Sequence, residues 1–175
     1  MAEDEQHKPA MAIRAGTAAA ISSKSVTVAF EELLEAYEFA SMATEAQAYV
    51  CIKTGKTYLL SNSLDYELDE DLPVDIETSD NYLCLPDRNE LDLGRDLVFS
   101  FVRQNLPDAY DDVRKYFRKA GAYRRFKALL ESHGLIDEWY RFEEEATAVA
   151  LREWCESNDI RLTGSENHRT GPGNP

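Results

Sequence analysis

The spacing of apolar positions changes period several times along the chain. Phe30, Leu33, Leu34 and Tyr37, with Met42 beyond them, recur at three and four residues behind Thr27. That pattern predicts an amphipathic helix of roughly four turns, capped by Thr27, with Phe30, Leu33, Leu34 and Tyr37 as its buried face. Next, Ala48 to Lys53 and Thr57 to Ser61 are two short β-branched and aromatic runs separated by Thr54-Gly55-Lys56. They predict a hairpin, and apolar residues on both alternations predict partial burial on both its faces. Tyr82-Leu83-Cys84-Leu85, followed by Pro86, predicts a third short strand extending the same sheet.

From Leu91 the pattern is helical. Leu93, Leu97, Val98, Phe101 and Val102 form one apolar face. A second helix begins at Pro107, carries Tyr110, Val113, Tyr116, Phe117 and Ala120, and stops at Gly121 in the C′ position. A third runs over Tyr123, Phe126, Leu129, Leu130 and His133 to Gly134, and a fourth, from about 137 to 157, carries Trp139, Phe142, Ala146, Val149, Ala150 and Trp154. The fold class expected is therefore α+β: an N-terminal helix, a small antiparallel hairpin sheet, then a C-terminal bundle of about four helices. Residues 1–25 read as a flexible arm and 163–175 as a disordered tail, because neither has a sustained apolar period. A single globular domain is expected over 26–162, and a chain of 175 residues suits one core.

Charge narrows the function classes. The formal net charge is −14, from 33 acids against 19 Lys and Arg, so the molecule as a whole repels phosphate backbones and anionic lipid. Residues 62–80 hold eight acids and no base and read as a solvated loop, without the spacing or central glycine of a calcium loop. Residues 95–127 reverse the sign, with nine bases against four acids. On a helical wheel Arg114, Lys115, Arg118 and Lys119 lie opposite the apolar side of the second helix, and Arg124, Arg125 and Lys127 face away from Phe126, Leu129 and Leu130. These seven residues are the candidate partner- or anion-binding surface. Asp111 and Asp112 precede Arg114 and Lys115 at helical spacing, so ion pairing within a solvated face accounts for part of the same pattern.

The supply for catalysis is thin. His133 is the only histidine of the folded unit, and its place beside Gly134 suits it to the last-turn carbonyls of its own helix. Cys51, Cys84 and Cys155 are odd in number and far apart, and each reads as a buried small hydrophobe rather than a disulfide partner or zinc ligand. No phosphate-cradling glycine loop, G-x-S-x-G or H-E-x-x-H is present. No catalytic residue, cofactor or metal is expected, and no stretch approaches the length of a membrane span. Ala2-Glu3-Asp4-Glu5 has the wrong sign for a secretory leader, so a cytoplasmic location is expected.

Several short strings occur in a telling order: Val28-Ala29-Phe30-Glu31-Glu32-Leu33 with Ala36-Tyr37-Glu38-Phe39, then Thr54-Gly55-Lys56, then Leu85-Pro86-Asp87-Arg88 with Leu91-Asp92-Leu93-Gly94-Arg95. Gly121 to Lys127, Asp137-Glu138-Trp139-Tyr140 and Ala150 to Cys155 follow. Over roughly 26–162 the chain resembles the bacterial uncharacterised protein family 0158. The resemblance implies a small cytosolic bacterial protein and carries no activity, ligand or cofactor onto any residue. The functional expectation is a non-enzymatic binding or regulatory protein using the basic helical surface, with an acidic protein surface or no partner at all, and nucleic acid ranked behind. Its rivals are an enzyme centred on His133 and an acidic mimic of DNA. The pattern leaves the oligomeric state open.

Overall fold

Strand β1 (Thr27–Ala29) runs directly into helix α1 (Phe30–Met42). A computed structural model of the chain describes residues 25–42, 45–61 and 72–164. Almost all of the expected arm, the tail beyond 164 and the larger part of the acidic stretch 62–80 lie outside the described residues. Strands β2 (Ala46–Cys51) and β3 (Thr57–Ser61) form the expected antiparallel hairpin, and β4 (Tyr82–Cys84) pairs antiparallel with the other edge of β2, giving the order β3-β2-β4. Helices α2 (Arg95–Asn105), α3 (Tyr110–Tyr116), α4 (Ala122–His133) and α5 (Ile136–Ser157) follow, with a 3-10 turn over Pro107–Ala109 leading into α3. Strand β5 (Arg161–Thr163) returns to pair in parallel with β1. The architecture is α+β.

Two-residue alternation explains the burial of the central strand. Ala48 and Val50 belong to the main apolar cluster, while Tyr49 and Cys51, on the opposite face, are buried as well. The hydrophobic cluster runs from Leu33 and Tyr37 of α1 through Val98, Phe101 and Val102 of α2 to Phe126, Leu130, Trp139 and Leu151. Trp139, 1% exposed, is its hub. Its indole meets Phe101 and Phe126 edge to face with centroids 5.3 and 5.0 Å apart, and Phe142 lies at 6.3 Å.

Several expectations are corrected. Thr27 does not cap α1. It sits in β1, opposite Arg161 of β5, and the backbone N–H of Arg161 donates to Val26 at 2.8 Å. Strand β5 continues through Thr163. The second helix of the C-terminal half ends at Tyr116, four residues before Ala120. Phe117, Arg118 and Lys119 close it with tight turns, and Phe117 packs on Phe99 and Tyr123 instead of continuing the helical face. Cys84, on the edge strand β4, is exposed rather than buried. Met42 and Val149 are exposed too, at 81% and 51%, lying beyond the arc their helices bury.

Candidate functional site

The seven basic residues divide into two groups. Arg114 and Lys115 on α3 pair with Asp111 and Asp112 of the preceding turn, at 3.8 and 2.7 Å. Both contacts are exposed and so contribute little to stability. Arg125 is a structural residue. Its guanidinium donates to the carbonyls of Lys119 and Ala120 and lies over the Tyr116 ring, tying the start of α4 to the chain leaving α3. Arg118, Lys119 and Arg124 are exposed and have no ion pair among the described residues. Lys127 departs from the group: about 160° around α4 from Arg125, it reaches the Tyr140 ring of α5, 5.2 Å away.

Lys127 leads to a centre that sequence reasoning missed. The chain from Pro86 to Gly94 has no regular long element, yet it is held in a reciprocal turn. Asp87 Oδ1 accepts from the backbone N–H groups of Asn89 and Glu90, at 2.6 and 2.9 Å, and Asp87 N–H donates to Glu90 Oε2 at 2.8 Å. This is the pattern of a capping box, and Asp87-x-x-Glu90 is the signal that would have revealed it. The turn fixes Arg88, whose Nη2 donates to Leu93 O at 3.3 Å and forms an ion pair with Glu143 of α5. The pair is half-buried, with side-chain exposures of 41% and 23%.

Three clefts meet at Arg88. One, of about 390 Å³, is lined by Asn89, Gly94, Tyr123, Lys127, Trp139 and Glu143 as well as Arg88. A second, of about 340 Å³, runs between α1 and α5 past Tyr37, Met42, Tyr140 and Glu143. The third, also about 390 Å³, lies between the end of α1 and the turn at Asp87–Glu90. Burial opposes the charge on Arg88, but the hydrogen bond and charge of Glu143 outweigh it and raise its pKa. Burial raises the phenol pKa of Tyr123 and of Tyr37, so both stay protonated at neutral pH. Tyr37, which lines the second cleft, and Trp139, which lines the first, each bury a polar atom, Oη and Nε1, that has no hydrogen-bond partner among the described residues. Ser41 stands beside Tyr37 but outside hydrogen-bond geometry.

The titratable residues weighed for catalysis are occupied elsewhere. His133 is exposed at the end of α4, with Nδ1 2.9 Å from Leu129 O and 3.1 Å from Ser132 Oγ. It lines none of the three clefts at Arg88. Burial pushes the Cys155 thiol up to about 11, which suppresses thiolate formation. Burial also works against ionising Cys51, but hydrogen bonds from Thr54 and from the Lys53 and Thr54 backbone bring its pKa below the usual thiol value. Among the described residues no group of three or more His, Cys, Asp or Glu side chains is placed to hold a metal ion, and no helix is long and apolar enough to cross a membrane.

No solved structure matches the chain. A UPF0158 protein of Pseudomonas aeruginosa is 27% identical over 115 residues, covering 65% of this chain and 73% of its own length. Residues 23–171 match the Uncharacterised protein family (UPF0158) as a whole, a span that takes in every described element from β1 to β5. The chain belongs to that family.

Proposed function

We propose that this chain is a non-enzymatic binding protein that engages an acidic protein surface through the basic turn between α3 and α4. The observation that carries this reading is the set Arg118, Lys119 and Arg124: three exposed cations without an anionic partner among the described residues, on a turn held by Arg125 and Tyr116. Such a cluster in a chain of net charge −14 is a local reversal of potential, which steers an acidic partner while the rest of the surface rejects polyanions that approach in other orientations. Arg114 and Lys115 border the cluster, and their pairing with Asp111 and Asp112 leaves them available for exchange, since exposed pairs at this spacing are weak.

The test is the double reversal Arg118→Glu with Arg124→Glu, which spares Arg125 and with it the tie between α3 and α4. Retention on immobilised polyglutamate and on heparin is compared with wild type, along with the melting temperature. Salt-sensitive retention on polyglutamate, lost in the variant with folding intact, supports the proposal. Retention on heparin alone transfers the surface to nucleic acid. Absence of retention on both matrices removes the functional reading of this turn.

A further inference from the structure

We infer that the cleft between Arg88 and α4 is a binding site for a small molecule carrying an oxyanion, a carboxylate or a phosphate. The inference stands apart from the basic turn and rests on different residues. Arg88 is committed through one nitrogen only: Nη2 serves both Glu143 and Leu93 O, while Nε and Nη1 have no partner among the described residues. Lys127 of α4 lines the same cleft, has no ion pair among the described residues, and holds its ammonium 5.2 Å from the Tyr140 ring. The cleft thus holds two cations against one carboxylate, with the amide of Asn89 and the phenol of Tyr123 beside them.

An arginine and a lysine lining one cleft of about 390 Å³ suit an oxyanion, which would accept from both without displacing Glu143. Glu143 is then the one carboxylate lining the cleft, so a ligand with a hydroxyl or amino group beside its oxyanion fits better than a bare anion. Arg88 is held from two directions, by its own turn and by α5, so its donors are preorganised and little ordering entropy is spent on binding. The indole of Trp139 lines the same cleft and is a built-in reporter, while its Nε1 is sealed beneath the wall.

The chain has two tryptophans, so Trp154→Phe leaves Trp139 as the sole indole. That variant is titrated with inorganic phosphate and, separately, with malonate, reading fluorescence and melting temperature. A saturable change with either probe is expected, and the probe that binds tells a phosphoryl ligand from a carboxylate one. Lys127→Gln should weaken binding roughly tenfold or more, the loss of one charge-assisted hydrogen bond. Lys53→Gln, in the exposed hairpin turn, should leave it unchanged. Because Arg88 also braces its own turn, Arg88→Lys accompanies Lys127→Gln, keeping the charge while losing the planar fork. No saturable response to either probe overturns the proposal. So does a response that Lys127→Gln and Arg88→Lys both leave intact.

Discussion

Gly55 offers a direct test of how the hairpin is seated on the rest of the molecule. It lies in the turn after β2 with φ +77, donates to Cys51 O at 2.8 Å, and is buried against β1. A Cβ added there would stand 2.2 Å from Thr27 O and 3.2 Å from its carbon, backbone atoms that cannot swing aside as a side chain does. To restore an ordinary contact the turn and β1 must part by about 1.2 Å, and β1 is tied to β5. Gly134 is the control: it has nearly the same dihedral, φ +69, and none of the described residues comes within 4 Å of the added methyl.

For Gly134→Ala the left-handed backbone costs about 1–2 kcal/mol, partly offset by a gain of about 0.4–1 kcal/mol from a stiffer unfolded chain. The net loss is roughly 0.5–1.5 kcal/mol. Gly55→Ala carries the same balance plus an overpacking cost of about 1–3 kcal/mol against rigid backbone, for a total of about 1.5–4.5 kcal/mol. At about 2–4 °C per kcal/mol for a domain of this size, Gly55→Ala should melt roughly 3–18 °C lower than wild type and Gly134→Ala only about 1–6 °C lower. Differential scanning calorimetry of the two variants beside wild type reads the gap. If Gly55→Ala melts no lower than Gly134→Ala, the hairpin turn does not abut Thr27 and the packing of the sheet on β1 is wrong.

Trp139→Ala removes the hub between Phe101 and Phe126 and should cost about 3–5 kcal/mol in chemical denaturation; a loss under ~1 kcal/mol would contradict its burial. Ending the chain at Ile160 deletes β5 and should cost about 2–4 kcal/mol, a few backbone hydrogen bonds plus the half-buried Leu162, whereas unchanged stability would show that β1 needs no partner. The raised Cys155 pKa makes a stabilising contribution that is fully present below the unfolded thiol value of 9.0 and is lost as pH rises toward about 11, some 2–3 kcal/mol in all. Wild type should therefore lose stability faster than Cys155→Ala between pH 8.5 and 10.5, and parallel curves would refute the shift. A maleimide at neutral pH should label exposed Cys84 well before buried Cys51 and Cys155, as peptide mapping would show.

Elements defined by local period were legible. The 3.6 period over Phe30 to Tyr37 and over Trp139 to Trp154 is α1 and α5, and the two β-branched runs around Gly55 are β2 and β3. The strand pair β1 and β5 was hidden because each is three residues long and neither alternates. They form by finding one another across nearly the whole folded chain, and such a partnership leaves no mark within either segment. Ala120 failed for the opposite reason. It continues an apolar spacing, but Phe117 is drawn toward Phe99 and Tyr123, and that tertiary contact ends the helix first.

The same logic separates the two candidate sites. The basic turn is visible in sequence because its cations are neighbours along the chain, within one helix, a turn and the next helix. The cleft at Arg88 draws on Arg88, Tyr123, Lys127 and Glu143, each ordinary in its own segment: a turn residue, an aromatic at helical spacing, one base among many, one acid in Glu143-Glu144-Glu145. Of those three glutamates only Glu143 is drawn inward, to half-burial, while Glu144 and Glu145 stay exposed. That selection is made by Arg88, fixed across from it by the Asp87–Glu90 turn. A half-buried carboxylate needs such a counter-charge, and removing it by Glu143→Ala should cost about 1–2 kcal/mol, against a few tenths for Glu144→Ala or Glu145→Ala. Equal losses across the three would mean that Arg88 and Glu143 do not organise the cleft.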